Sequence, residues 1–216
     1  KRLEAEKERL AQEKEQAEQR KAEEEQRKKD EEKRKVAEAE LAKKNAAVKK
    51  QIEEVNEKVQ LGKTALATGN VAKAMEYFEE AQEMLPIGDG EPAFSASKNS
   101  EIAQALYDAA NNENDSAAKA KLKAQAVAMA EMAVKQNPKD AASHFIIASD
   151  SYDRKDYKKA LDEYSKAVQL DPNNNIYFYN LGKTQYVLKK YSEAVSSFSS
   201  SCKIDPKFHL ARYNLG

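Results

Sequence analysis

The tetrapeptide Leu-Gly-Lys-Thr occurs at 61–64 and again at 181–184. Gly-Lys-Thr closes the phosphate loop of many nucleotide sites, where backbone amides wrap the phosphates and lysine neutralises them. That chemistry needs a further glycine five residues before the Gly-Lys pair. Glu57 and Tyr177 occupy those places, and no strand-like run precedes either copy. The spacing therefore points to a packing Leu-Gly inside a helix, not to a nucleotide site.

Other reactive groups are sparse. The two histidines, His144 and His209, are not at metal-ligand spacing with each other or with Cys202. His144 is expected in a half-buried structural role and His209 on the surface. Cys202 is the single cysteine, so no intrachain disulfide forms. It is expected as a buried thiol on a helix. Carboxylates abound, but no nucleophile, base and orienting group come together in the sequence. No catalytic residue, metal or cofactor is expected, and the chain does not read as an enzyme.

The elements that would carry such groups differ sharply along the chain. Of its 216 residues, 37 are basic and 37 acidic, and zero net charge gives no support for a nucleic-acid partner. No apolar run reaches the length of a membrane span. From Lys1 to Lys35, 25 of 35 residues are charged, so this stretch cannot bury a core. Every Tyr and Phe lies at or beyond Tyr77. The chain begins with Lys inside a charge run and is read as a piece of a longer protein.

Residues 1–54 are expected to form one charged helix. Glu, Lys, Arg, Gln and Ala favour it, and opposite charges recur four apart at Glu23 and Arg27, Glu24 and Lys28, Glu25 and Lys29, Asp30 and Arg34, Glu31 and Lys35. No Gly or Pro interrupts the run to Leu61, so the helix is expected to continue into the next element. Leu41, Val48, Ile52, Val55 and Val59 follow coiled-coil spacing, with Asn45 in the seam. A solvated single helix, a homodimer through this helix, and docking on another protein all stay open.

Beyond it, prolines set a period. Pro138, Pro172 and Pro206 are 34 residues apart, and Pro86 precedes Pro138 by 34 plus 18. The two Leu-Gly-Lys-Thr copies are three periods plus the same 18 apart. The tetrapeptide recurs because a whole unit recurs.

Residues 141–174 and 175–208 resemble the tetratricopeptide repeat, a 34-residue helix–turn–helix unit that stacks into a superhelix. The resemblance rests on Ala148 and Gly182 at the small position 8, Ala160 and Ala194 at 20, and Tyr164 and Phe198 at the aromatic 24. Ala167 and Ser201 stand at 27, with the closing prolines after them. Gly62, Ala74, Phe78, Ala81 and Pro86 match in 55–88. A second, irregular unit at 98–140 matches through Ala126, Ala130, Ala133 and Pro138, and 209–216 begins a fifth. The 18 additional residues are placed in a loop near Ile87–Asn99, with Gly88, Gly90, Pro92 and the serines after it. A widened turn is placed at Asn111–Asp115.

The resemblance implies an all-α solenoid over 55–216 and a protein or peptide partner held in a concave groove. First-helix positions would line the groove with Phe145, Tyr152, Tyr179, Asn180, Lys183, Tyr186, Tyr213 and Asn214. Chaperone-binding members of the family clamp a peptide's terminal carboxylate with lysine at position 5. Val59, Phe145, Tyr179 and Tyr213 stand there instead, so that clamp is not expected. The second reading is a spacer or dimerisation module whose repeats have no dedicated ligand.

Overall fold

A computed structural model describes residues 2–85 and 92–214. The chain divides into two compact units, 1–50 and 51–216. Helix α1 runs over Arg2–Ala67.

In residues 2–47 every described side chain is exposed, including Leu3, Leu10, Val36 and Leu41. The helix there is held by its own charges. Lys28 meets Glu24 at 2.7 Å, Lys29 meets Glu25 at 2.8 Å, and Lys35 meets Glu31 at 2.8 Å. Arg34 pairs with Glu38 rather than the expected Asp30, which accepts from Gln26. Each exposed pair contributes only about 0.3–0.5 kcal/mol, so many must act together.

The second unit is built of helix pairs. After the last turns of α1 come α2 (Val71–Glu83), α3 (Pro92–Asn112) and α4 (Ser116–Gln136). Then follow α5 (Ala141–Asp153), α6 (Tyr157–Leu170), α7 (Asn175–Val187), α8 (Tyr191–Ile204) and the short α9 (His209–Tyr213). Helices α3 and α4, α5 and α6, and α7 and α8 pack as hairpins, while α4 meets α5 and α6 meets α7. The core is the row of small residues and rings that lets the hairpins close: Ala74 with Phe78, Ala160 with Tyr164, and Ala194 with Phe198 are all buried. Val55 and Val59 are fully buried within this unit. Two of the five apolar residues of the expected coiled-coil seam thus belong to the repeat array and cannot face a second chain.

The turn inside each regular hairpin has one solution. Gly69, Lys155 and Lys189 adopt φ of 77°, 65° and 61° at the same repeat position. At each, two backbone bonds close the first helix: Gly69 N to Leu66 O with Asn70 N to Ala65 O, and likewise Lys155 to Tyr152 with Asp156 to Ser151, and Lys189 to Tyr186 with Lys190 to Gln185. This is the Schellman closure, whose left-handed residue favours glycine. The next residue caps the second helix. Asn70 accepts from Lys73 N and Asp156 from Lys159 N, but Lys190 makes no side-chain cap bond. Replacing Lys190 by Asp is therefore expected to raise stability by about 1 kcal/mol. A thermal midpoint unchanged or lowered in Lys190→Asp would show that the α8 start is already satisfied.

The irregular unit corrects one expectation. The additional residues do not form a loop from Pro92 onward; Gly88 and Gly90 lie outside the described residues. Helix α3 starts at Pro92 and reaches Asn112, and α4 matches it, so both have 21 residues where the later hairpins have 13 and 14. Proline suits the first helical turn because its missing N–H would be unpaired there anyway. The serine-rich stretch is helical because Ser95, Ala96 and Asn99 face inward one turn apart, and Asn99 Nδ2 donates to Gln136 Oε1 at 3.1 Å. The widened turn shrinks to residues 113–115, where Asp115 caps α4 on Ala118 N.

Candidate protein-binding groove

Both copies of the tetrapeptide lie inside helices, in α1 and α7. A Cβ added at Gly62 would fall 2.6 Å from Phe78 Cδ1, and one at Gly182 would fall 2.8 Å from Phe198 Cδ1. Each glycine admits an aromatic ring from the second helix of its own hairpin. Thr64 donates its hydroxyl to Gln60 O and Thr184 donates to Asn180 O, each closing on its own helix. The threonines serve the backbone and the glycines serve packing.

The two lysines of the motif differ. Lys63 Nζ meets Glu101 of α3 at 3.0 Å. Burial alone would raise the Glu101 carboxyl, but the ammonium groups of Lys98 and Lys63 hold it below the usual carboxylate range. Lys183 Nζ instead lies 4.9 Å from the ring centre of Tyr152 and 5.6 Å from that of Tyr179. Tyr179 is braced by Phe208 at 5.2 Å, edge to face, and by Phe198 at 5.9 Å. Tyr152, Tyr179 and Lys183 are each half-buried. Burial, with Tyr157, Tyr179 and Asp153 nearby, pushes the Tyr152 hydroxyl above its ordinary range.

Phe145 is placed differently. It is only 8% exposed and sits among three rings: Tyr107 at 5.8 Å, Tyr164 at 5.7 Å and Tyr177 stacked at 4.9 Å. It lines a cavity of about 350 Å³ between α3, α5 and α7. Asn180 lines the same cavity, with its Nδ2 donating to Ile176 O at 2.9 Å. Asn214 repeats that bond to Leu210 O at 2.8 Å. Tyr186 is exposed and packs against Tyr191 at 5.5 Å, just as Tyr152 packs against Tyr157 at 5.4 Å. Tyr213 is exposed on α9.

Geometry thus brings Tyr152, Tyr179 and Lys183 into one cluster, and Phe145 and Asn180 to one cavity. Tyr186 and Tyr213 join neither. The contributors from α3 were missed: Gln104, Tyr107, Asp108 and Asn111 line the same cavity. A signal for them was present. Asn99, Ile102, Leu106 and Ala110 repeat at three- and four-residue steps and are buried, which leaves Gln104, Tyr107 and Asn111 toward the other side of the helix.

The remaining reactive groups have structural partners or none of catalytic type. His144 is buried, with Nδ1 2.5 Å from Glu163 Oε2 and Nε2 3.0 Å from Pro138 O, so it ties α5 to α6 and to the preceding turn. His209 is exposed. Cys202 is half-exposed rather than buried, because the inward place beside it belongs to Ser201, whose hydroxyl donates to Asn175 O. Among the described residues no cluster of His, Cys, Asp and Glu could hold a metal ion, and no helix is long and apolar enough to cross a membrane.

Residues 58–86 match the family model of the tetratricopeptide repeat, and 150–189 match a second model described as TPR repeat. Those two segments carry tetratricopeptide repeats. No curated protein matches it in sequence. Among solved structures it is similar to the crystal structure of MamA, at 15% identity over 72% of this chain and 80% of that one, with TM-score 0.57. Pseudomonas aeruginosa pilF is similar at 22% identity over 76% of this chain and 67% of that one, with TM-score 0.59. At such identities the likeness concerns the fold. Tetratricopeptide arrays are in general protein–protein interaction modules, and this chain carries such a module.

Proposed function

We propose that the repeat array is an adaptor that takes an extended peptide or a partner helix along the first-helix face of α3, α5 and α7, without a catalytic step. The observation that carries this reading is the pairing of a cavity lined by Phe145 and several side-chain amides with the half-exposed Tyr152–Lys183–Tyr179 cluster. Tyrosine supplies apolar area and a hydrogen-bonding tip with little loss of freedom, which suits a recognition surface. Zero net charge argues against a nucleic acid as the partner.

A second reading is favoured by the exposed, self-paired helix in 2–47: this segment sets a distance or brings two copies together, and the repeats only end it. The test is selection of peptides from a random display library on the repeat array. In the adaptor reading, Tyr152→Ala lowers retention of the selected peptides by about tenfold or more while the thermal midpoint moves little. Undiminished retention by the folded variant would leave the spacer reading.

A further inference from the structure

The duplicated Leu-Gly-Lys-Thr supplies an internal comparison. Lys63 and Lys183 stand at the same position of the motif and of the repeat. Lys63 is neutralised by Glu101, which also binds Lys98 at 2.7 Å. Lys183 has two tyrosine rings beside its ammonium, and among the described residues no carboxylate pairs with it. The nearest candidate in sequence on α5, Asp153, is already held by Lys123. A ring face attracts the charge but offers no lone pair, so the three N–H donors keep their need for oxygen acceptors. Water meets that need while the groove is empty. A bound segment that displaces the water must replace it with an acceptor, and a carboxylate does so best.

We infer that Lys183 is the groove's anion receptor, and that the segment bound there carries an aspartate or glutamate side chain opposite it. This rests on the adaptor reading and deepens it. Tyr152 and Tyr179 hold the ammonium on its long stem, and Phe208 and Phe198 brace Tyr179 in turn. Pre-set placement lowers the ordering cost of forming the charge-assisted bond. The site differs from a terminal-carboxylate clamp: it needs an internal acidic residue and no free chain end.

The probe is a random-peptide library displayed with its C-termini tethered, so that no free terminal carboxylate is offered. On the wild-type array, selected peptides are expected to converge on Asp or Glu at one position flanked by apolar residues. Blocked synthetic copies with Glu changed to Gln at that position are expected to bind about tenfold more weakly or worse. Raising the salt concentration is expected to narrow that difference. Lys183→Gln abolishes the preference, Lys183→Arg keeps it, and Lys63→Gln keeps it, because Lys63 is already closed by Glu101. Far-UV helicity and the thermal midpoint confirm that each variant is folded. Equal binding of the Glu and Gln peptides, or a preference that survives Lys183→Gln, overturns the receptor while leaving the groove. Peptides whose retention ignores Tyr152→Ala as well overturn the groove and the receptor together.

Discussion

Replacing Phe145 by alanine is expected to lower the unfolding free energy of the repeat array by about 3–5 kcal/mol, the largest loss of any groove-facing position. The ring is 8% exposed and touches Tyr107 of α3, Tyr164 of α6 and Tyr177 of α7. Those three belong to three successive hairpins. In a solenoid the stability is a sum of repeat terms and neighbour interfaces, so one cavity here weakens two interfaces together. Phe145→Leu keeps most of the volume and is expected to cost under about 1.5 kcal/mol. Denaturant unfolding followed by far-UV circular dichroism gives both values. A change within about 0.5 kcal/mol in Phe145→Ala, combined with weaker peptide retention, would move Phe145 from the packing to the ligand contacts.

The same cluster has an alkaline signature. Burial, with Asp171 and Asp140 nearby, pushes the Tyr177 hydroxyl from 10.0 up to about 12. Burial raises Tyr164 as well, against the hydrogen bond it shares with Ser149, which works the other way. The unfolded chain releases the Tyr177 proton near 10 and the folded chain only near 12. This contribution is fully present below pH 10 and is lost as pH rises toward 12. In Phe145→Ala the cluster loosens, and the tyrosinate absorbance is expected to rise at lower pH than in the wild type.

The hairpins were legible because their constraint is local and repeated. Small residues at fixed steps, one ring opposite them and a closing proline leave few other structures, and Gly182 against Phe198 meets that pattern at contact distance. The 92–112 helix was not legible as a whole. Its proline and serines carry turn signals, and what overrides them is tertiary: Ser95 and Asn99 are buried against the hairpin formed with α4. Position 5 was assigned to the groove as a column, yet Phe145 and Tyr179 share it with different surroundings. Phe145 is closed in by Tyr107 and Tyr177, which come from neighbouring hairpins, whereas Tyr179 keeps an open side toward Lys183. Periodicity gives the direction in which a side chain points. It does not give the size of what comes to meet it from the next repeat.

The second large effect concerns the glycine of the duplicated motif, and here the sign carries the argument. In an open helix, alanine in place of glycine stabilises by about 1 kcal/mol. At Gly62 the new methyl would lie 2.6 Å from Phe78 Cδ1 and 2.8 Å from Phe78 Cζ, and that ring is 1% exposed, with no space to retreat into. Overpacking costs about 1–3 kcal/mol. With several ring atoms inside contact distance the upper end applies, so Gly62→Ala is expected to lose about 2 kcal/mol net. Phe78→Ala alone is expected to lose about 3–5 kcal/mol by leaving a cavity. Once the ring is gone, the three nearest contacts of the Gly62 methyl go with it, and alanine regains its helix preference. Gly62→Ala added to Phe78→Ala should then stabilise by about 1 kcal/mol. The same substitution thus destabilises the wild type and stabilises the variant, a coupling of about 3 kcal/mol that a double-mutant cycle of denaturant midpoints resolves. If Gly62→Ala instead stabilised the wild type, the ring would not be what requires glycine there. The recurrence of Leu-Gly-Lys-Thr would then need a cause other than helix packing.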